Sequence, residues 1–171
     1  MLFNSPKDMF SYLENYYMKN GGPVEILTFG MYLGISRGKS GGDFKDWNNT
    51  FPMESRSFIE TCSKDLKLII GTPFYDECKP NCEDCKKKYN SILERHEATV
   101  EYLDIDTKFQ EDMHMKMYRV NDLVVLGGMN LSDSDWIDCC VVANKEDGER
   151  AINLFSKLWD GAENNLERFY K

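Results

Sequence analysis

Residues 114 to 136 read HMKMYRVNDLVVLGGMNLSDSDW, and several side chains in this stretch can do chemistry at phosphorus. In an extended strand, residues i and i+2 share a face. His114 and Lys116 therefore project together, with Met113, Met115 and Met117 on the other side. A histidine can attack phosphorus or shuttle a proton near neutral pH. A lysine beside it can neutralise a phosphate oxygen as charge builds in the transition state. Asn130, just after Gly127 and Gly128, supplies an amide that can hold another phosphate oxygen. The glycines let the backbone approach a ligand closely. A bare H-x-K is usually an exposed pair on an edge hairpin. What sets this one apart is the order that follows it: Asp122, an apolar strand, then GGMNLSDS.

A second cluster has the spacing of metal ligands. CKPNCEDCKKK places Cys78, Cys82 and Cys85 in a C-x3-C-x2-C array. Three thiolates so close suit a tetrahedral structural zinc. Cys62, on a preceding short helix, and His96 are the candidates for a fourth ligand. If one helix runs unbroken from Cys85 to His96, the rise of ~1.5 Å per residue separates them too far for one metal to bridge. His96 then ligates only through another chain, and its apolar neighbours equally suit a core histidine. Cys139 and Cys140, inside a strand, read as core. Lys86, Lys87 and Lys88, and Arg37 with Lys39, are possible phosphate-backbone contacts, although such runs are usually solvated faces.

The elements that must position these groups alternate between two periods. At 171 residues, with 42% hydrophobic and 29% charged side chains, the chain is one globular domain's worth. Ser5, Pro6 and Asp8 open a helix whose face carries Met9, Phe10, Leu13, Tyr16 and Tyr17. VEILTFGMYLGI has the apolar character of a central strand. Residues 36–55 are glycine-rich and without period, as functional loops are. A short helix around SFIETCSKD and the strand LKLIIGTP come next. After the cysteine loop, KKKYNSILERHE predicts a helix and TVEYLDI a short strand. MHMKMYRV and DLVVLGG form a hairpin, IDCCVVAN a further strand, and Asn144 caps a last helix with Ile152, Phe155, Leu158 and Trp159 inward. Strands alternating with helices predict an α/β fold, a mixed β-sheet flanked by helices on both faces.

The run H-x-K, Asp122, apolar strand, G-G-x-N resembles the HKD signature of the phospholipase D superfamily, and the element order resembles that superfamily's half-unit over nearly the whole chain. The resemblance implies His114 as nucleophile or acid, Lys116 and Asn130 as phosphate ligands, and Gly128, Ser132 and Ser134 as supports of the same pocket. Asp122 stands one residue farther from Lys116 than the usual pattern. The family's later glutamate, which orients the histidine, has Asp138 as its nearest counterpart. The cysteine loop, at about residues 76–88, is an insertion relative to that family.

The superfamily's chemistry uses two such histidines and no metal. One forms a phosphohistidine and the other protonates the leaving oxygen. This chain has one H-x-K, which resembles single-motif bacterial nucleases that complete the site across the twofold axis of a homodimer. The expected function is a metal-independent phosphodiesterase acting on DNA or RNA, with a nucleotide messenger or phospholipid as alternative substrates. A non-catalytic, zinc-stabilised binding module is the other alternative. The net charge of −8 argues against indiscriminate coating of polyanions. No apolar run approaches the ~20 residues that cross a bilayer. The segment MLFNSPKDMF lacks the basic-then-apolar pattern of a signal, so the expected location is the cytoplasm, where cysteines stay reduced.

Overall fold

The computed structural model describes residues 1–37, 42–47, 53–72, 82–111, 113–133 and 138–171. Ser5 opens helix α1 (Pro6–Asn20) by accepting from the Asp8 N–H, and Gly21, at positive φ, closes it. Strand β1 (Leu2–Phe3) precedes it and β2 (Val24–Thr28) follows. Then come the short pair β3 (Ile35–Arg37) and β4 (Phe44–Asp46), helix α2 (Glu54–Cys62) and β5 (Leu66–Gly71). Helix α3 (Glu83–Leu103) leads to β6 (Asp106–Gln110). The hairpin β7 (Lys116–Val120) and β8 (Leu123–Gly127), β9 (Cys140–Val142) and helix α4 (Lys145–Gly161) complete the order.

The main sheet has seven strands in the order β1-β9-β8-β7-β2-β5-β6. β2, β5 and β6 run parallel, and β7 lies antiparallel to β2 with Leu27 opposite Met117. Alternation along the strands divides the core into two layers. Ile26, Leu68, Ile70, Tyr118 and Val125 join Phe10 of α1, Phe58 of α2 and Leu93 of α3 on one face. Leu27, Ile69, Met117 and Val124 meet Ala151 and Phe155 of α4 on the other. Helices therefore cover both faces, as the sequence predicts. Met113, Met115 and Met117 all belong to the α4 layer, opposite His114 and Lys116 as expected.

Two sequence expectations change. TVEYLDI is not a strand. Residues 99–103 continue α3, and the strand begins at Asp106. Thr99 and Val100 carry β-branched side chains, but the inward face of α3 simply runs on: Thr99 is buried and its hydroxyl donates to the Arg95 carbonyl. Asp104, at φ 51, ends the helix. The stretch after residue 35, expected as a structureless loop, contains the β3–β4 pair. That pair is held to α2 by the buried guanidinium of Arg56, which donates to Asp46 (2.9 Å), to Glu60 (2.6 Å) and to the Leu33 carbonyl. Desolvation works against this charge, but the two carboxylates outweigh it and hold the guanidinium protonated. No described helix is long and apolar enough to cross a membrane.

Candidate active site

Parallel strands β2 and β5 end, and antiparallel strands β7 and β9 begin, along one edge of the sheet. Ligands in open α/β sheets collect at such carboxyl ends. Here the register puts Lys116 opposite Gly127, and Gly127 opposite Cys140. A cleft of about 810 Å³ opens at this edge. His114, Lys116, Gly128, Asn130, Ser132 and Asp138 all line it. Residues up to 24 positions apart in sequence (114 to 138) thus converge on one site. Ser134 lies outside the described residues.

His114 stands just before β7, exposed, with its ring 4.6 Å from that of Phe29. Lys116 is 6% exposed. Its Nζ is 3.3 Å from His114 Nδ1 and 3.4 Å from Nε2. An in-plane hydrogen bond to one nitrogen would leave the other far more distant, so the ammonium lies off the ring plane. Burial pulls the Lys116 pKa below the ordinary lysine value, and the negative charge of Asp138 partly offsets this. The Phe29 ring adds a cation–π contact at 5.6 Å.

Asn130 is fixed by a bond across the cleft floor: its Oδ1 accepts from the Gly30 N–H at 3.0 Å. That bond assigns the oxygen to the backbone and leaves the NH2 as the group a phosphate oxygen can use. The loop after β2 and the loop after β8 are laced together around it. Leu131 N–H donates to the Gly30 carbonyl and to Thr28 Oγ1, and Tyr32 N–H donates to the Leu131 carbonyl. The buried Tyr118 hydroxyl donates to the Met129 carbonyl at 2.8 Å.

The paired glycines have separate steric reasons. A Cβ on Gly127 would lie 2.2 Å from the Cys139 carbonyl oxygen, and one on Gly128 would strike Asp138. Asp133, which sequence reasoning passed over, also lines the cleft. Its carboxylate accepts from the N–H groups of Glu54 (2.7 Å) and Ser55 (2.9 Å), capping α2 from outside the helix. Nothing local in the sequence announces a cap supplied 79 residues away.

Other expected residues fall elsewhere. Asp122 sits at the far β7–β8 turn and accepts from the Tyr16 hydroxyl at 2.7 Å, tying α1 to the hairpin. Cys82 and Cys85 begin α3, where Cys82 Sγ accepts from the Cys85 N–H at 3.3 Å. The Cys85 thiol and N–H lower the Cys82 pKa, which suits a thiolate ligand. Cys78 lies outside the described residues. Cys62 is wholly buried in the main core, its thiol pushed up to about 12 by burial, an environment that holds a neutral thiol. Because α3 is unbroken from Cys85 to His96, the same chain's His96 cannot share a metal with Cys85. It is buried instead at the wall of the cleft, which Arg95 also lines. Among the described residues, no group of three or more His, Cys, Asp or Glu side chains is gathered for a metal ion. Arg37 pairs with Glu101 and stacks over Phe44, and Lys86 pairs with Glu83. Lys39 is outside the described residues.

No family model matches the sequence, and no curated protein matches it significantly. Solved structures do. NucT from Helicobacter pylori superposes with a TM-score of 0.57 at 14% identity, over 96% of this chain and 97% of that one. Nuc from Salmonella typhimurium, a phospholipase D family member, superposes with a TM-score of 0.54 at 13% identity, over 96% and 95%. The chain therefore has the phospholipase D family fold from end to end, as the H-x-K to G-G-x-N resemblance implied.

Proposed function

We infer that this chain is a phosphodiesterase that cleaves nucleic acid, with His114 as its nucleophile and a second copy of the chain completing the site. The observation that carries this reading is the convergence of His114, Lys116, Asn130 and Asp138 in one cleft, on a fold shared with a phospholipase D family member.

The chemistry follows from the groups. A ring nitrogen of His114 attacks phosphorus, a P–N bond forms and the P–O bond to the leaving group breaks. The leaving oxygen takes a proton from His114 of the partner subunit. Water then attacks the phosphohistidine, gives its proton to that second ring, and the P–N bond breaks. Lys116 and the Asn130 amide hold the non-bridging oxygens, where charge accumulates. Asp138 keeps Lys116 charged despite its burial. In this scheme the described cleft holds half of the required histidines, and twofold symmetry supplies the other half.

A structural zinc on Cys78, Cys82 and Cys85 is part of the same proposal. Cys82 and Cys85 fit two of its positions, one helical turn apart with a thiol accepting a backbone N–H. Its role there is to fix the start of α3, and the reaction at His114 does not pass through it.

The test is a panel of single-stranded DNA, duplex DNA, RNA, a cyclic dinucleotide and a phospholipid, each in EDTA. His114→Ala serves as the control. Cleavage of a nucleic acid that is lost in the control supports the reading. Cleavage of the phospholipid alone refutes it.

A further inference from the structure

Helix α3 delivers Ile92, Arg95 and His96 to the cleft that holds His114. His96 is 3% exposed, and its buried Nδ1 has no hydrogen-bond partner among the described residues. A buried polar atom without a partner lowers stability. Nearby positions on the same face, Tyr89 and Leu93, belong to the main core cluster. The ring borders the cleft, so a small side-chain shift on binding lets a ligand complete it.

The chemistry of the ring narrows the ligand. Burial, with a smaller contribution from the Arg95 charge, brings its pKa down to about 4. At neutral pH the ring carries no extra proton, so it can neither protonate a leaving oxygen nor attract phosphate as a cation. It is a neutral donor and acceptor. The same cleft carries apolar lining from Met31, Tyr32, Met53 and Ile92, and Tyr32 is 47% exposed. Apolar surface with an exposed aromatic ring and a neutral hydrogen-bonding group suits an unstacked nucleobase.

We propose that His96 is a substrate-binding residue whose ring hydrogen-bonds the edge of an unpaired nucleobase beside the scissile phosphate. This rests on the nucleic-acid reading above and narrows it to single strands and frayed ends. Within a duplex, that base is stacked and its pairing edge is occupied.

The experiment compares wild type, His96→Phe and His96→Gln on a labelled single strand, its duplex, and the same strand with an abasic position next to the labelled phosphate. His96→Phe removes the unsatisfied atom while filling the space, so it should melt at or above wild type. Its KM on the base-bearing strand should rise about tenfold, the loss of one hydrogen bond, with kcat nearly unchanged. The abasic strand should show no difference, and His96→Gln should recover part of the loss. In ring-nitrogen NMR, His96 should shift when a thymidine dinucleotide is added. Equal KM values on the base-bearing strand, or the same rise on the abasic strand, overturn the proposal. So does a shift that follows protein concentration without nucleotide, which would make a second copy the partner. Cleavage without any His96 shift removes this proposal alone. A fully active His114→Ala removes His114 as nucleophile, and no cleavage of any nucleic acid removes the nuclease reading, while the dinucleotide shift still decides the role of His96.

Discussion

A Cβ built on Gly128 would fall 1.8 Å from Oδ1 of Asp138, so the carboxylate occupies the space that any side chain would need. The same carboxylate supports the charge on Lys116. Gly128→Ala must therefore push Asp138 away and shift the loop that carries Asn130. Misplacement of catalytic groups by about 1 Å can cost on the order of 10²-fold in rate. The expected result is a loss of that order in kcat with a cooperative melting transition retained. Activity equal to wild type would mean that the Gly128–Asp138 contact is not part of the working site.

His114 is exposed and stands outside β7, so its removal takes little from the core. His114→Ala should melt within a degree or two of wild type. Its turnover should fall by several orders of magnitude, as expected for a covalent nucleophile. Residual activity within about tenfold of wild type would reject the assignment.

The two-chain site makes a prediction that a one-chain site does not. Wild-type and His114→Ala chains mixed in equal amounts and allowed to exchange should keep about a quarter of wild-type activity, because only the wild-type pair holds both histidines, whereas independent one-chain sites would keep about half. Wild-type activity should follow the dimer in sedimentation. An active monomer would refute the shared site.

Sequence legibility followed the range of the interactions. The alternation around Lys116 and the inward face of α1 depend on neighbours within a turn or a strand, and both were readable. The HKD-like order was readable too, because a hairpin keeps His114, Gly128 and Asn130 close in sequence. The end of α3 was not, since Thr99 and Val100 favour strands locally and tertiary burial overrode them. Phe29 against His114, Asp133 on the first turn of α2 and His96 in the cleft were also invisible. Each depends on segments joined only by the sheet. His96 on an apolar helical face read as either a zinc ligand from another chain or a core residue, and its Nδ1, without a partner among the described residues, sets it apart from a satisfied core histidine.

Zinc and catalysis should separate under chelation. If Cys78, Cys82 and Cys85 hold one zinc per chain, its binding free energy adds to folding. Cys82→Ser should then lose zinc content and thermal stability together. Brief EDTA treatment should leave turnover unchanged. Activity lost at once on chelation and recovered with magnesium, with the fold intact, would point to a metal-assisted hydrolase.

The pH dependence of stability should carry the signature of His96. Its folded pKa, about 4, lies below the ordinary histidine value of 6.5. Between those values the unfolded chain binds a proton that the folded chain excludes, so stability falls as pH falls. The effect is absent above the unfolded pKa and complete below the folded one. At 1.36 kcal/mol per unit, its ceiling is about 3 kcal/mol. Arg95, His114, Lys116, Asp133 and Asp138 also face the cleft. They are common to wild type and His96→Phe and cancel in the difference. The melting temperature of His96→Phe relative to wild type should therefore climb between pH 7 and pH 4, by several degrees at about 2–4 °C per kcal/mol for a chain of this size. A difference that stays constant across that range would show that the buried ring is not held neutral by the fold.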